Sequence, residues 1–444
     1  MPSASTYLTR SATTGTSQKK FTFSFWFKRT GRFVVQAASQ WLVDGYGSGS
    51  YNSSIYLSSG NALVVFDQAS STTVATSRLF RDNSGWYNAV VAVDTTQNTA
   101  SDRVKIYING VQETSFSTSN YPAQNSNFEL TGNGATILIG KRNAGDYFNG
   151  LMSYVACIDG TAEAPTLFGE VDSSTGEWKI KTTITPTSAW GNNGFLILKD
   201  GNTITDQSSN SNDFTLGGGT LTNTEDNPSD VFASINNLDN RTQGCNLSMG
   251  NTKIEWHNDN RNMFATHVIN KGKYYWEMKY TDNSGGTNAM IGVSLADTRQ
   301  ADSYPGHDAT GWSYYADNGQ KYNSGGSSYG NTWTINNIIG VAFDADTRTL
   351  WFSKDGVWQN SATIAEIGAG TTTNSAWTGM GSAGDWFIPC VSGYDQNLVE
   401  FNFGNGYFGT TAISSAGTNA SGIGKFEYDV PTNFTALSLK GMNN

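Results

Sequence analysis

Cysteine, histidine and charge are all scarce in this chain. Its 444 residues hold 3 cysteines and 3 histidines. Cys157, Cys245 and Cys390 are far apart, odd in number and form no Cys-x-x-Cys pair. That argues against a disulfide framework and against a cysteine-rich zinc site, and reads the three as small core residues. His257, His267 and His307 share no metal-ligand spacing and no His-Glu-x-x-His, so a histidine metal centre or triad is not expected. Charged residues are 14%, against about 25% in ordinary globular chains. The balance of 27 Lys and Arg to 37 Asp and Glu, net −10, argues against double-stranded nucleic acid, because phosphate contacts need a basic surface. With no run of about 18 apolar residues, no membrane insertion is expected. Met1–Ser5 has neither a basic start nor an apolar core, so no secretory signal is expected. No heptads appear, so no coiled coil is encoded.

What the chain has is aromatics and glycine: 13 Trp, 20 Tyr, 23 Phe and 49 Gly. Such a composition suits β-sheets, whose pleated faces favour aromatic and β-branched side chains. Phe21–Lys28 puts Phe21, Phe23, Phe25 and Phe27 on one face, the period of a half-buried strand. Ile55–Leu57 and Leu63–Phe66 flank the turn cluster Ser59-Gly60-Asn61. Trp86–Val93 is a further strand, and Val104–Ile108 runs into Asn109-Gly110, the strongest short hairpin signal. Thr136–Gly140 and Leu151–Ile158 follow. Residues 159–240 are less regular, with a domain boundary expected near 225–245. A second strand series then begins: Tyr274–Tyr280, Met290–Ser294, Trp312–Tyr315, Ile338–Phe343, Thr349–Ser353, Ile388–Val391 and Val399–Phe403. Trp26, Trp86, Trp276 and Trp351 lie on these strands as expected core.

The strands Phe21–Phe27 and Trp86–Val93, the Val104–Val111 hairpin, and Ile137-Leu138-Ile139-Gly140 followed by Phe148-Asn149-Gly150-Leu151-Met152 resemble the laminin-G-like, concanavalin A-like jelly roll. Tyr275-Trp276-Glu277-Met278, Ile291–Ser294, Ile339–Asp344, Leu350–Gly356 and Ile388–Ser392 resemble, in order, a SPRY domain. Asp355 departs from that pattern, which more often has Asn before Gly; both suit a tight turn. The whole layout also resembles virion proteins of tailed, especially marine, bacteriophages. Four stretches carry this: Ser5–Arg10; Leu167–Asp172 with Thr175–Trp178; Asn193-Gly194-Phe195 with Asp206–Phe214; and Pro431–Leu439. The resemblance implies a structural protein of a virus particle, which leaves the host cytoplasm by lysis and needs no signal peptide.

Chemistry-bearing constellations are few. Retaining glycosidases of the jelly-roll kind need two carboxylates about 5–5.5 Å apart. Glu255-Trp256-His257-Asn258-Asp259 is the nearest approach and has the wrong spacing. No Gly-x-Ser-x-Gly elbow sits between a strand and a helix. No catalytic residue is therefore assigned, and the chain is expected not to be an enzyme. Sugars stack on aromatic faces and are held by amide and hydroxyl groups. Tyr46, Tyr51, Trp312, Tyr314 and Tyr315 are the ligand-binding candidates, with core packing the competing role for Trp312 and the tyrosines. Asp206, Asn210, Asn212 and Asp213 could converge on calcium, against the simpler reading of an Asx-rich turn. No other cofactor is implied. Tyr7, Leu8 and Thr9, with Phe434 and Leu437, are candidate docking segments.

The resulting expectation is all-β, two tandem antiparallel β-sandwiches: an N-terminal arm (1–20), a jelly roll (21–225), a linker (226–245), a SPRY-like sandwich (246–408) and a tail (409–444). The expected function is a non-enzymatic tailed-phage fibre or tail component displaying lectin-like sandwiches for host attachment. A capsid or tail decoration protein is the alternative, and a polysaccharide-degrading enzyme a weaker one. Expected partners are other virion proteins, a host-surface glycan or protein, and further copies of the chain, with a trimer guessed from phage fibres of this kind. The expected location is the virion surface.

Overall fold

A computed structural model describes residues 5–31, 38–47, 51–199, 203–239, 244–257, 261–284, 286–299 and 302–443. Strand makes up 42% and helix 5%, so the chain is all-β. It divides into two units, Met1–Asn223 and Thr224–Asn444.

In the first unit an eight-stranded antiparallel sheet runs in the order Phe116–Asn120, Thr72–Leu79, Ala62–Asp67, Asn52–Leu57, Gln40–Tyr46, Thr136–Ile139, Tyr7–Ser11, Thr215–Gly218. A six-stranded sheet packs against it, in the order Phe195–Ile197, Gly150–Asp159, Lys20–Arg29, Tyr87–Asp94, Val104–Ile108, Val111–Gln112. Phe21, Phe23, Phe25 and Phe27 all point between the sheets and are fully buried. Each such burial contributes about 1.5–3 kcal/mol. The expected half-buried strand is buried on both faces, however: Thr22, Ser24 and Trp26 are covered as well. Their cover is the irregular segment after residue 159, whose Phe168, Trp190 and Leu196 pack with Trp26 and Val90. Trp86 is only half-buried, at the rim of this second cluster. Asn109 and Gly110 both adopt positive φ, 48° and 78°, as the hairpin signal requires.

Residues 1–20 contain no detached arm between 5 and 20. Tyr7–Ser11 is a sheet strand, paired with Thr136–Ile139 on one side and Thr215–Gly218 on the other. Leu8 is its anchor in the core, which is why the segment cannot hang free.

The second unit repeats the two-sheet plan. One sheet runs Cys245–Ser248, Lys253–Trp256, Asn397–Asn402, Lys273–Asn283, Ile338–Asp344, Thr349–Lys354, Val357–Trp358, and Thr435–Ala436 adds to it in parallel alongside Tyr274 and Tyr275. The other runs Arg261–Phe264, Phe387–Gly393, Met290–Leu295, Gly311–Tyr315, Gln320–Tyr322, Gly326–Ser328. Trp276, Met278, Tyr280, Trp333, Phe343, Phe352 and Phe401 fill the space between them. All three cysteines are buried. Asp355 and Gly356 turn with φ of 49° and 78°, so Asp serves at this turn.

Two boundary readings change here. Phe232, Ala233 and Ile235, inside the expected linker, are buried in the second unit. The expected tail is a strap: Phe426, Val430, Phe434 and Ala436 pack on Tyr275, Trp351 and Trp358. The reason is alternation. With Trp276 and Phe352 facing the core, Tyr275 and Trp351 face the other way and need a cover of their own.

Candidate functional site

The strand Gly311–Tyr315 sorts its aromatics by parity. Trp312 lies beside Phe387, and Tyr314 is fully buried with its hydroxyl donating to the Asn331 carbonyl. Both face the core, so neither is available as a ligand contact. Tyr315 points the other way and is half-buried. Its ring meets Tyr322 edge to face at 5.7 Å, and Tyr322 meets Tyr304 at 6.2 Å, with interplanar angles of 88° and 90°. Amides surround the rings. The Tyr315 hydroxyl donates to Asn288 Oδ1 at 3.2 Å, and Asn318 Nδ2 donates to the Tyr322 hydroxyl and to Gln320 Oε1, each at 3.2 Å. Burial pushes the Tyr315 phenol up, and Asp317 adds to the effect, so the hydroxyl stays protonated. The result is a half-open patch of ring faces and neutral donors and acceptors. Chemically it suits a hydroxyl-rich ligand that needs stacking and hydrogen bonds but no proton transfer.

Tyr304 and Tyr322 escape a reading of the sequence. Tyr304 comes from a loop and Tyr322 from a three-residue strand, so neither belongs to a periodic run. In the first unit, Tyr46 ends a strand opposite Asn52 and Thr136, and Tyr51 is exposed.

The calcium candidates form a hydrogen-bonded knot. Asp206 Oδ1 accepts from the backbone N–H groups of Leu196 (2.8 Å) and Ser208 (2.9 Å), and Oδ2 from Ser208 Oγ and the Asn212 N–H, both at 2.8 Å. Asp213 Oδ1 accepts from the Asp206 N–H at 2.8 Å. Asn210 and Asn212 turn their amide nitrogens to the Gly194 carbonyl at 3.0 and 2.7 Å, while Asn212 Oδ1 takes the Arg10 guanidinium. The Asp206 carboxylate and the Asn212 oxygen thus already serve N–H and O–H donors. The loop ties the Tyr7–Ser11 strand to the Phe195–Ile197 strand, which is an Asx-turn role. Among the described residues, no three His, Cys, Asp or Glu side chains converge as metal ligands. Glu255 sits on the strand Lys253–Trp256, while Asn258 and Asp259 lie outside the described residues.

The docking candidates are built into the sandwiches. Leu8, Phe434 and Leu437 are buried, whereas Tyr7 and Thr9 are half-buried on the outer face of the eight-stranded sheet.

Comparison with known families agrees with both folds. A model of the concanavalin A-like lectin/glucanases superfamily matches residues 2–167, and a SPRY domain model matches 273–406. The chain carries a concanavalin A-like domain and a SPRY domain. Residues 168–272 and 407–444, outside both matches, include much of the cover over Trp26 and the strap over Trp351. The chain is 30% identical to Ran-binding protein 10 of Danio rerio over 121 residues, 25% of this chain and 20% of that protein. It is 32% identical to the Ran-binding proteins 9/10 homolog of Drosophila melanogaster over 89 residues, 19% of this chain and 9% of that protein. These alignments span a fifth or less of the relatives' own length. Among solved structures, the SPRY domain of human HERC1 aligns over 34% of this chain and 87% of its own at 18% identity, with a TM-score of 0.28. The TRIM65 PSpry domain aligns over 38% and 91% at 12% identity, with a TM-score of 0.30. Two such domains in one chain point to binding or adhesion.

Proposed function

We propose that this protein is a non-enzymatic attachment component of a tailed-phage particle, displayed on the virion surface, whose domains grip a glycan on the host cell. The observation that carries the binding part is the Tyr304–Tyr315–Tyr322 patch with its flanking amides, half-open in the SPRY domain. It offers stacking faces and neutral hydrogen bonds with no paired acid and base. The particle part rests on the four phage-like stretches, each of which has a packing role. Ser5–Arg10 includes a sheet strand, Leu167–Trp178 covers the outer face of the six-stranded sheet, Asn193 and Asp206–Phe214 form the knot, and Pro431–Leu439 belongs to the strap. Individual sites of this size bind weakly, and many copies on one particle supply avidity.

The test is binding of the labelled full-length chain to a panel of bacterial cells and to a glycan array. Tyr322→Ala is expected to lower binding about tenfold or more while the thermal midpoint of the second unit holds. Undiminished binding by that variant refutes the patch, and sugar release from any bound polymer refutes the non-enzymatic reading. Absence of the protein from purified particles refutes the virion role.

A further inference from the structure

The strap of the SPRY domain is tied at both ends and packed on its own in between. It leaves the sheet after Asn402 through Gly404 and Gly406, at φ 113° and 81°, and comes back over it through Gly424, also at 81°. At the far end Leu437 enters the core between the sheets, and its carbonyl accepts from the Ala233 N–H at 2.9 Å. Thr435 and Ala436 pair with Tyr274 and Tyr275. Between these ties, Phe426, Val430 and Phe434 pack on Tyr275, Trp351 and Trp358, a cluster separate from the one that fills the sandwich. The packing between the two sheets therefore does not use them, and the SPRY match itself ends at residue 406. The cover is also incomplete in hydrogen bonds. Trp351 is fully buried, yet among the described residues its indole N–H finds no acceptor, a group that water satisfies once the strap lifts.

What holds the middle of the strap to the sheet, besides those apolar contacts, is one carboxyl. Glu277 accepts from the N–H groups of Glu427 and Tyr428, each at 2.9 Å. The charges around it are spoken for. On the outer face of its own strand stand Tyr275 and Lys279. The neighbouring strand Ile338–Asp344 puts Gly340 opposite it and Asp344 at its end, paired with Lys273 at 3.2 Å. The strand Asn397–Asn402 adds Glu400, paired with Lys253 at 3.2 Å. The turn after Lys354 adds Asp355, which binds Asn337 and the Ile338 N–H, and the short helix under the strap adds Glu366, bound to Thr363. In the strap, Lys425 pairs with Glu225 at 2.6 Å, Glu427 binds Ser414 and Asp429 binds Thr418. At the far tie Asp230 accepts from the Lys440 N–H. Burial pushes the Tyr275 and Tyr428 phenols up, so both stay protonated. Among the described residues, Glu277 itself has no ion pair.

We propose that the strap is a proton-controlled lid: closed in acid, it lifts between its ties at Gly406 and Thr435 as the pH rises to neutrality, baring Tyr275, Trp351 and Trp358 while both sheets stay folded. Lifting breaks the Glu427 and Tyr428 bonds and lets water reach the carboxyl. In water this group titrates near 4.5, and under the closed lid at about 7. Between these values each opening releases a proton, so the open fraction climbs with pH; above 7 both states are ionised and it levels off. From pH 5 to pH 8 the ratio of open to closed rises about 70-fold. An aromatic face of the domain is thereby offered at neutral pH and withheld in acid.

The experiment is hydrogen exchange of the full chain at pH 5, 6, 7 and 8, read by mass spectrometry as protection relative to the unfolded rate at each pH. Strap peptides covering Glu427–Val430 are compared with core peptides covering Ile338–Asp344, without urea and in low urea. Strap protection is expected to lie below core protection at every pH, to fall about 70-fold from pH 5 to pH 8, and to respond little to urea, because a local opening exposes little surface. Core protection is expected to fall steeply with urea. In Glu277→Gln the strap should lose its pH dependence. Strap protection that matches the core in size and urea response overturns the lid, since the strap then opens only when the whole domain unfolds. Strap protection that does not change with pH overturns the proton control, and so does a pH dependence kept in Glu277→Gln. Should that variant fail to fold, the wild-type comparison of strap with core decides the matter alone.

Discussion

Glu277 is the side chain whose behaviour tests the construction of the SPRY domain most directly. It lies at the middle of the strand Lys273–Asn283, fully buried, on the face covered by the strap. Its Oε1 accepts from the Tyr275 hydroxyl at 3.1 Å and the Tyr428 N–H at 2.9 Å, and its Oε2 from Asn402 Nδ2 at 3.1 Å and the Glu427 N–H at 2.9 Å. Two of these four donors are strap backbone groups, so one carboxyl pins the strap to the sheet. Among the described residues no cation pairs with it. Burial therefore outweighs the four hydrogen bonds and pushes its pKa up to about 7. An unfolded glutamate titrates near 4.5. The folded state thus holds a proton that the unfolded state has lost between these two values, and this group's contribution is complete below 4.5 and gone once the pH has risen through 7. A rise from 4.5 to about 7, at about 1.4 kcal/mol per pH unit, comes to about 3 kcal/mol.

The perturbation is Glu277→Gln. In either orientation its amide NH2 meets one strap N–H and one side-chain donor, so one buried donor pair loses its acceptor, at a cost of about 1–3 kcal/mol. At the same time the variant has no proton to lose. Urea unfolding of the full chain, followed by tryptophan emission, reads the result, because Trp351 and Trp358 lie under the strap. Each unit is fitted as its own transition, since two domains need not unfold together. The wild-type transition of the second unit should weaken by about 2–3 kcal/mol from pH 5 to pH 8. In Glu277→Gln that change should vanish, leaving the variant less stable at pH 5 and nearly equal at pH 8. If the variant keeps the full pH dependence, the buried carboxyl is not its source and the reasoning fails.

Other substitutions probe the concanavalin A-like domain. Arg29 is fully buried, donates to Asn61 Oδ1 at 2.7 Å and to the Phe80 carbonyl, and is pushed down to about 10 by burial. Arg29→Leu strands both acceptors and should cost the first unit about 2–4 kcal/mol in chemical denaturation. Gly110→Ala combines a φ of 78° with a Cβ only 2.4 Å from the Trp178 ring. It should displace that indole from Asn88 Oδ1, 3.1 Å away, seen as red-shifted emission and a loss of about 1–2 kcal/mol. Asp206→Ala removes the acceptor of four hydrogen bonds and should cost at least about 2 kcal/mol. Chelator should leave the wild-type melting midpoint unchanged, and a midpoint that rises with added calcium would restore the metal reading of that loop.

Both sandwiches were legible because their strands obey a local rule. Phe21 to Phe27 and Tyr274 to Tyr280 alternate, and Asn109-Gly110 and Asp355-Gly356 turn the chain where positive φ is needed. The arm, the linker and the tail were not, and for one physical reason. A strand that is large and apolar on both faces, as with Tyr275 beside Trp276, announces that something covers it, but says nothing of what. The cover comes from about 150 residues away in sequence, in Phe426 and Phe434, through segments without a repeat of their own.

The same limit shaped the candidate sites. Parity along a strand separates Tyr314 from Tyr315 once the facing sheet is known, yet the sequence shows only two adjacent tyrosines. A bulge defeats parity altogether: Trp41 turns outward because Leu42 and Val43 both go in, which no period-two count foresees. Tyr7 reaches Lys141 across 134 positions, and Tyr304 reaches Tyr322 across a loop. The ring grouping proposed as a binding site brings together single aromatics from separate strands and a loop. Each of these residues looks in isolation like one more core ring, and register alone tells the two kinds apart.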